Sequence, residues 1–197
     1  MSHFQAIHHL TAMTIFNVRE AVESDINPIA SLHTSQSRRH IPNLDGGFLL
    51  AESTEEMVRE EMANGTRFFV AIAPESEELV GFVAIARPQI SPEIVGNIRW
   101  TGTDYGDRLS DHRHHYIQAI ATKPGWTGKG IARHLYASVY RQFSDSILSA
   151  LVVTRPITNH RSLQFHKRQG FAAIGTLNLE YLFDLKDYES TIFYRET

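Results

Sequence analysis

Cysteine is absent from the 197-residue chain, which removes disulfides, thiolate nucleophiles and cysteine-held metals from consideration. An excess of positive charge is also missing. Lys and Arg number 19 against 22 Asp and Glu, a formal net charge of −3, so no basic footprint points to nucleic acid as a partner. Long hydrophobic runs are lacking: "FFVAIA" and "LVGFVAIA" fall far short of the roughly 20 residues that a membrane-spanning helix needs. The opening "MSHFQAIHHLTAM" has no apolar core of the kind, about 7–15 residues long, that marks a secretory signal. A cytoplasmic protein without a membrane partner is the expectation. There is no internal repeat, low-complexity tract or convincing linker. Hydrophobic residues make up 42% of the chain and histidines number 11, enough apolar surface for one core. The division expected is a leader over 1–13 and a single domain over 14–197.

Periodicity gives the elements. Thr14 to Val22 reads as a strand. Ser24 or Asp25 can cap a helix carrying Ile26, Ile29, Ala30 and Leu32. Residues 34–52 read as a loop with at most a short helical piece. "STEE" at Ser53–Glu56 fits a capping box, opening a helix that stops at Asn64-Gly65. "RFFVAIA" and "ELVGFVAIARP", joined by "PESE", predict an antiparallel hairpin. Residues 91–113, with Pro92, Gly96, Gly102 and Gly106, read as a long connection. The strand "HYIQAIAT" follows, then a glycine stretch and a helix to about Gln142. Ile147 to Thr154 is a strand, Asn159 to Gln169 a helix, and "FAAIGTLNLEYLF" and "STIFYRE" are strands.

The glycine stretch, "ATKPGWTGKGIARHLY", places Gly128 and Gly130 at the start of a helix whose apolar face is Ile131, Ala132, Leu135, Tyr136, Val139, Tyr140 and Phe143. Helix-start amides and the helix dipole favour anions, and glycines let a phosphate come close to the backbone. A nucleotide P-loop is not met: Lys123 stands where its first glycine belongs, and Gly130 follows the lysine where Ser or Thr is needed. A dinucleotide fingerprint fails at Arg133. A phosphate cradle and a plain tight turn remain open on these residues alone.

Two segments together go further. Thr127-Gly128-Lys129-Gly130-Ile131-Ala132 resembles the acetyl-CoA-binding segment of the GNAT superfamily of N-acetyltransferases, Q/R-x-x-G-x-G/A, matching at Gly130 and Ala132 and departing at Thr127. Asn159 to Phe171, "NHRSLQFHKRQGF", is similar to the later signature N-x-x-A-x-x-x-Y-x-x-x-G-F. "VREAVESDINPIASLH" and "ELVGFVAIA" look like the family's first strand and helix and its third strand. The likeness spans about residues 14 to 195. It implies an α/β (α+β) GNAT fold: a mixed, mostly antiparallel sheet of about seven strands, flanked by about four helices and splayed between strands 4 and 5.

The resemblance further implies direct transfer of an acetyl group from acetyl-CoA to a primary amine, with no metal and no covalent enzyme intermediate. The coenzyme would lie along Ile120, Ala121 and Thr122 of the fourth strand. It would meet Thr127, Gly128, Lys129, Gly130, Ile131 and Ala132 at the turn, and Asn159 at the later helix. The general acid, a tyrosine in many members, is replaced by His166. Histidinium can protonate a thiolate, so His166→Ala is expected to lower turnover more than coenzyme affinity. The family's occasional glutamate base falls on His114. Simple alternation puts His114, Tyr116, Gln118 and Ile120 on one face. His114 and His115 would point to opposite faces, which argues against a metal there.

The acceptor would meet the irregular regions 34–52 and 91–113. There Asp45, Glu52, Asp104, Asp107 and Asp111 can attract a cation, and Trp100 and Tyr105 can stack on it. A small-molecule amine is the first reading; a protein amine, or a non-catalytic acyl-CoA sensor, is the alternative. Exposed strand edges in the family often pair, so a homodimer is among the expected partners.

Overall fold

The computed structural model describes residues 16–88 and 91–197. The expected leader, and Thr14 and Ile15 of the first strand, lie outside them. Eight strands form one sheet: β1 (Asn17–Glu20), β2 (Arg67–Ile72), β3 (Leu79–Ala86), β4 (Ile98–Trp100), β5 (His114–Thr122), β6 (Ile147–Arg155), β7 (Ala172–Leu182) and β8 (Leu185–Glu196). Their spatial order is β1-β2-β3-β5-β6-β8-β7-β4. Among the described strands only β5 and β6 pair in parallel; the other pairings are antiparallel. Six helices accompany it: α1 (Ile26–Ser35), α2 (Glu55–Ala63), α3 (Pro92–Gly96), α4 (Tyr105–Leu109), α5 (Ile131–Gln142) and α6 (His160–Arg168).

The principal helices begin where local chemistry allows. Thr54, one residue past the serine of the expected box, caps α2 by accepting from the Met57 amide at 3.2 Å. Asp25 precedes α1 by position, but its carboxylate turns to Arg19 and to the Val22 amide instead of capping. The apolar face of α1, Ile26, Ile29, Ala30 and Leu32, is buried as its spacing requires. Residues 91–113 are more ordered than their glycines suggest. They hold α3, β4 and α4, and β4 closes the sheet by pairing with β7, from Ile98↔Leu177 to Trp100↔Gly175. A three-residue strand paired to a segment far along the chain has no local signature.

Both faces of the sheet are covered. α1 and α2 pack Ile26, Ile29 and Val58 over Phe68, Phe82, Ala119 and Ala121. On the other face α5 buries Ile131, Leu135, Tyr136 and Val139 against Phe69, Val83 and Ile117. Each of those four α5 side chains is at most 1% exposed, contributing about 1.5–3 kcal/mol by the usual burial scale. The start of α5 is seated on Gly81, where a Cβ would come within 2.6 Å of Ile131 Cγ2; only glycine lets the helix approach so closely.

β5 and β6 pair only from His114↔Ile147 to Ile117↔Ala150. Beyond that point they diverge, which is the expected splay. A bulge sits at the same place: Ile117 faces Ile85 and Ala119 faces Ala84, leaving Gln118 as the extra residue. A bulge bends the strand and reverses the alternation after it. Ile117 and Ile120 therefore both join the α5 side, while Ala119 and Ala121 join the α1 side. Ile120 does not share a face with His114 and Tyr116, contrary to simple alternation.

Candidate active site

A cavity of about 420 Å³ fills the splay. One wall is β5 from Ile117 to Thr122 and the other is β6 from Ala150 to Val153. Its mouth carries Thr127, Gly128 and the starts of α5 and α6, and the loop segment Gly46, Gly47, Phe48, Leu49 and Leu50 lines it as well, with Gly47 beside Arg161 and Asn159. Because β5 has no strand partner on this edge past Ile117, Gln118 is solvent-exposed in the middle of a central strand.

The glycine turn is built for an anion. Gly128 and Gly130 both have φ of +84°, a conformation that costs an L-residue about 1–2 kcal/mol. Gly130 is the N-cap of α5 and supplies no side chain to cap it. The first amide of the helix with an internal acceptor is that of His134, bonded to the Gly130 carbonyl at 3.0 Å. The amides of Ile131, Ala132 and Arg133 have no acceptor among the described residues. Arg133, Arg161 and Arg168 also line this mouth, and none of them forms an ion pair with a described residue. A diphosphate fits the chemistry of this mouth: free amides at a helix start, then guanidinium groups.

Ile120, Ala121, Thr122, Thr127, Gly128, Gly130, Ile131, Ala132 and Asn159 all line the cavity. Lys129 does not; its Nζ lies 4.3 Å from the centre of the Trp126 ring, a cation–π contact that holds the turn. Asn159 caps α6 by accepting from the Ser162 amide at 3.1 Å, and it donates to the Phe48 carbonyl at 2.9 Å. It thus ties the 34–52 loop to the cavity.

The two histidines are placed differently. His166 lines the cavity but is only 2% exposed. Its Nδ1 donates to the Ser162 carbonyl at 2.9 Å, so Nε2 accepts from the Tyr136 hydroxyl at 2.8 Å. Its ring stacks on Phe193 at 5.3 Å. Burial lowers its pKa to about 4, so the imidazole is neutral at physiological pH. His114 lies outside the cavity, at the closed end of the β5–β6 pair. Its Nδ1 donates to the Leu109 carbonyl at 2.7 Å and its Nε2 accepts from Ser149 Oγ at 2.6 Å. Burial lowers its pKa to about 4 as well. No group of three or more metal-ligating side chains occurs among the described residues.

Of the two irregular regions only 34–52 reaches the cavity. Asp104, Asp107 and Asp111 do not line the cavity; Asp104 pairs with Arg108 and Asp111 with Arg113. Trp100 and Tyr105 pack beside Leu109, Ile174 and Leu177. No motif or spacing points to Arg133 and Arg168 at the mouth, or to Gln118 at the bulge. Gln118 donates to Glu61 Oε1 of α2 at 2.6 Å. The only available signal was one polar residue inside the apolar run "YIQAIA".

Known proteins share the fold. A family model described as acetyltransferase (GNAT) family matches residues 31–171. The chain is 24% identical over 160 residues to phosphinothricin N-acetyltransferase from Streptomyces coelicolor, spanning 81% of this chain and 83% of that protein. The fold matches that of smu.2055 from Streptococcus mutans, with a TM-score of 0.66 at 17% identity over 91% of this chain and 98% of the other. It also matches a GNAT superfamily phosphinothricin acetyltransferase from Sinorhizobium meliloti in complex with acetyl-CoA. There the TM-score is 0.60 at 17% identity, over 93% and 88% of the two chains.

Proposed function

The chain belongs to the GNAT acetyltransferase family, and on that premise we propose that it moves an acetyl group from acetyl-CoA directly to the primary amine of a small-molecule acceptor. The observation that carries this reading is the cavity between the parted strands β5 and β6, lined both by a glycine turn with free helix-start amides and by the Gly46–Leu50 segment. The coenzyme's diphosphate would sit on the α5 amides, with Arg133, Arg161 and Arg168 around it. Its pantetheine arm would take up the unpaired edge of β5 along Ile120, Ala121 and Thr122. The thioester would then reach the bulge, and the acceptor would enter beside Phe48, Leu49 and Leu50. Proximity and orientation of two bound reactants supply much of such a rate.

The name of the Streptomyces relative makes phosphinothricin a first acceptor to try, beside amino acids, polyamines, aromatic amines and a peptide amine. CoA release across that panel, read with a thiol-reactive dye, is the test. The absence of cysteine removes protein background from it. Turnover with at least one small amine is expected, with acetyl-CoA binding seen by calorimetry. Binding without turnover on the whole panel would favour the second reading, an acyl-CoA sensor. One observation supports that alternative: both candidate histidines are neutral and have both ring nitrogens engaged. Absence of any acetyl-CoA binding would overturn both readings.

A further inference from the structure

The side chains lining the cavity include arginines but no carboxylate. Among the described residues a single carboxylate hydrogen-bonds to any side chain that lines it: Glu61, through Gln118. Gln118 is the first residue of β5 past the paired region and the extra residue of the bulge. It lies two residues before Ile120, about 7 Å along the strand, where the thioester end of the coenzyme would lie. Its side chain leaves the α5 side and reaches α2 on the acceptor side of the sheet. The 2.6 Å bond uses one oxygen of Glu61 and leaves the other able to accept.

We propose that Glu61 of α2 is the carboxylate that receives the acceptor's ammonium group beside the parted end of β5 and takes its proton, with Gln118 as its positioning residue. This rests on the acetyl-transfer reading above. The acceptor class it implies is a primary alkylamine, cationic in water, rather than an amine already neutral. Burial raises the Glu61 pKa, which brings a carboxylate closer to the basicity an ammonium ion requires. Neither candidate histidine is free for that work: His114 is bonded at both ring nitrogens to Leu109 and Ser149, and His166 to Ser162 and Tyr136.

The step balances as follows. Glu61 takes one proton from R–NH₃⁺, giving R–NH₂ and a neutral carboxyl group. The nitrogen lone pair then forms a bond to the thioester carbonyl carbon. The C–S bond breaks and its electron pair leaves with sulfur. A second proton from nitrogen goes to that sulfur, giving the amide and CoA–SH. Glu61 returns its proton to solvent before the next turnover.

The test compares Glu61→Gln with Glu61→Asp, using whichever alkylamine of the panel the wild type acetylates best. Gln keeps the size of Glu61 and an oxygen for the Gln118 amide, but has no charge. Asp keeps the charge and is shorter by one methylene. A base role predicts that kcat/KM falls about 100-fold or more in Glu61→Gln and roughly tenfold or less in Glu61→Asp, with acetyl-CoA affinity unchanged in both. A structural hydrogen bond would give the reverse ranking. Glu61→Gln performing as well as or better than Glu61→Asp overturns the assignment while leaving acetyl transfer intact. A wild type that acetylates only aromatic amines overturns this assignment and leaves acetyl transfer standing, whereas one that acetylates no amine of the panel overturns the enzymatic reading and this assignment together.

Discussion

β5 and β6 are joined at one end and parted at the other, and the two ends use their polar groups in opposite ways. At the joined end four residue pairs are laddered, from His114↔Ile147 to Ile117↔Ala150. The His114 imidazole there spans from the Leu109 carbonyl to the Ser149 hydroxyl. Every donor and acceptor in that group is satisfied within the chain. At the parted end hydrogen-bonding capacity is left over: the first amides of α5, the unpaired edge of β5, and three arginines without carboxylates. Buried polar groups must find partners, so a fold that leaves such groups around a cavity is arranged for a ligand. The comparison also separates two kinds of histidine chemistry. A histidine bonded at both nitrogens inside the fold, as His114 is, acts as a rivet until one of those bonds opens.

The largest effect should come from breaking the rivet. His114→Leu leaves the Ser149 hydroxyl and the Leu109 carbonyl unpaired in a buried place, which costs about 3 kcal/mol. Urea denaturation should show that loss, while acetyl-CoA affinity of the folded protein changes less than twofold. The same reasoning fixes a pH dependence. The folded pKa values of His33, His114 and His166 are lowered by burial to about 4 from an ordinary 6.5. The unfolded chain therefore takes up protons first as the pH falls. Their contribution to stability is complete above about pH 6.5 and is lost progressively as the pH falls towards 4. In His114→Leu the decline across that window should be shallower than in the wild type. An equal slope would mean that His114 takes up its proton at the same pH in the folded protein as in the unfolded chain.

At the parted end a smaller change in stability should carry a larger change in binding. Gly130→Val forces a β-branched residue to φ of +84°, at about 1–2 kcal/mol. The turn relieves that strain by moving, which misaims the α5 amides. A loss of about 1.4 kcal/mol in binding corresponds to a tenfold weaker acetyl-CoA Kd, and calorimetry should find a change of that order. An unchanged Kd would place the diphosphate elsewhere and dissolve the contrast between the two ends.

Much of the scaffold was legible because it rests on local signals. The apolar faces of α1 and α5, the β2–β3 hairpin and the cap at Asn159 follow from spacing and side-chain type. The glycine turn was legible too, since two residues at positive φ before a helix demand glycine. What stayed hidden depends on pairing between distant segments. β4 is three residues long and gains its identity from β7. The bulge at Gln118 arises where β5 must serve β3 on one side and part from β6 on the other. Alternation counted through it therefore assigns Ile120 to the wrong face. The bond from Gln118 to Glu61 crosses 57 positions, and neither residue belongs to a motif.

His166 tests the comparison most finely, because it lines the cavity yet is bonded as His114 is. A proton donor to the leaving thiolate needs a charged imidazole or a free N–H aimed into the cleft. Nδ1–H is spent on the Ser162 carbonyl, Nε2 accepts from Tyr136, and burial holds the ring neutral. Charging it would break the Tyr136 bond as well as desolvate a cation. His166→Gln retains a donor and an acceptor of similar reach, so it should keep kcat within about threefold, a change worth well under 1 kcal/mol in barrier height. A loss near 100-fold with unchanged acetyl-CoA affinity, the range general acid catalysis supplies, would instead make the imidazole a proton donor. It would also require the Nε2–Tyr136 bond to open in the bound complex. Between those outcomes lies the ratio that decides whether the histidine at the signature's tyrosine position belongs with the joined end or the parted one.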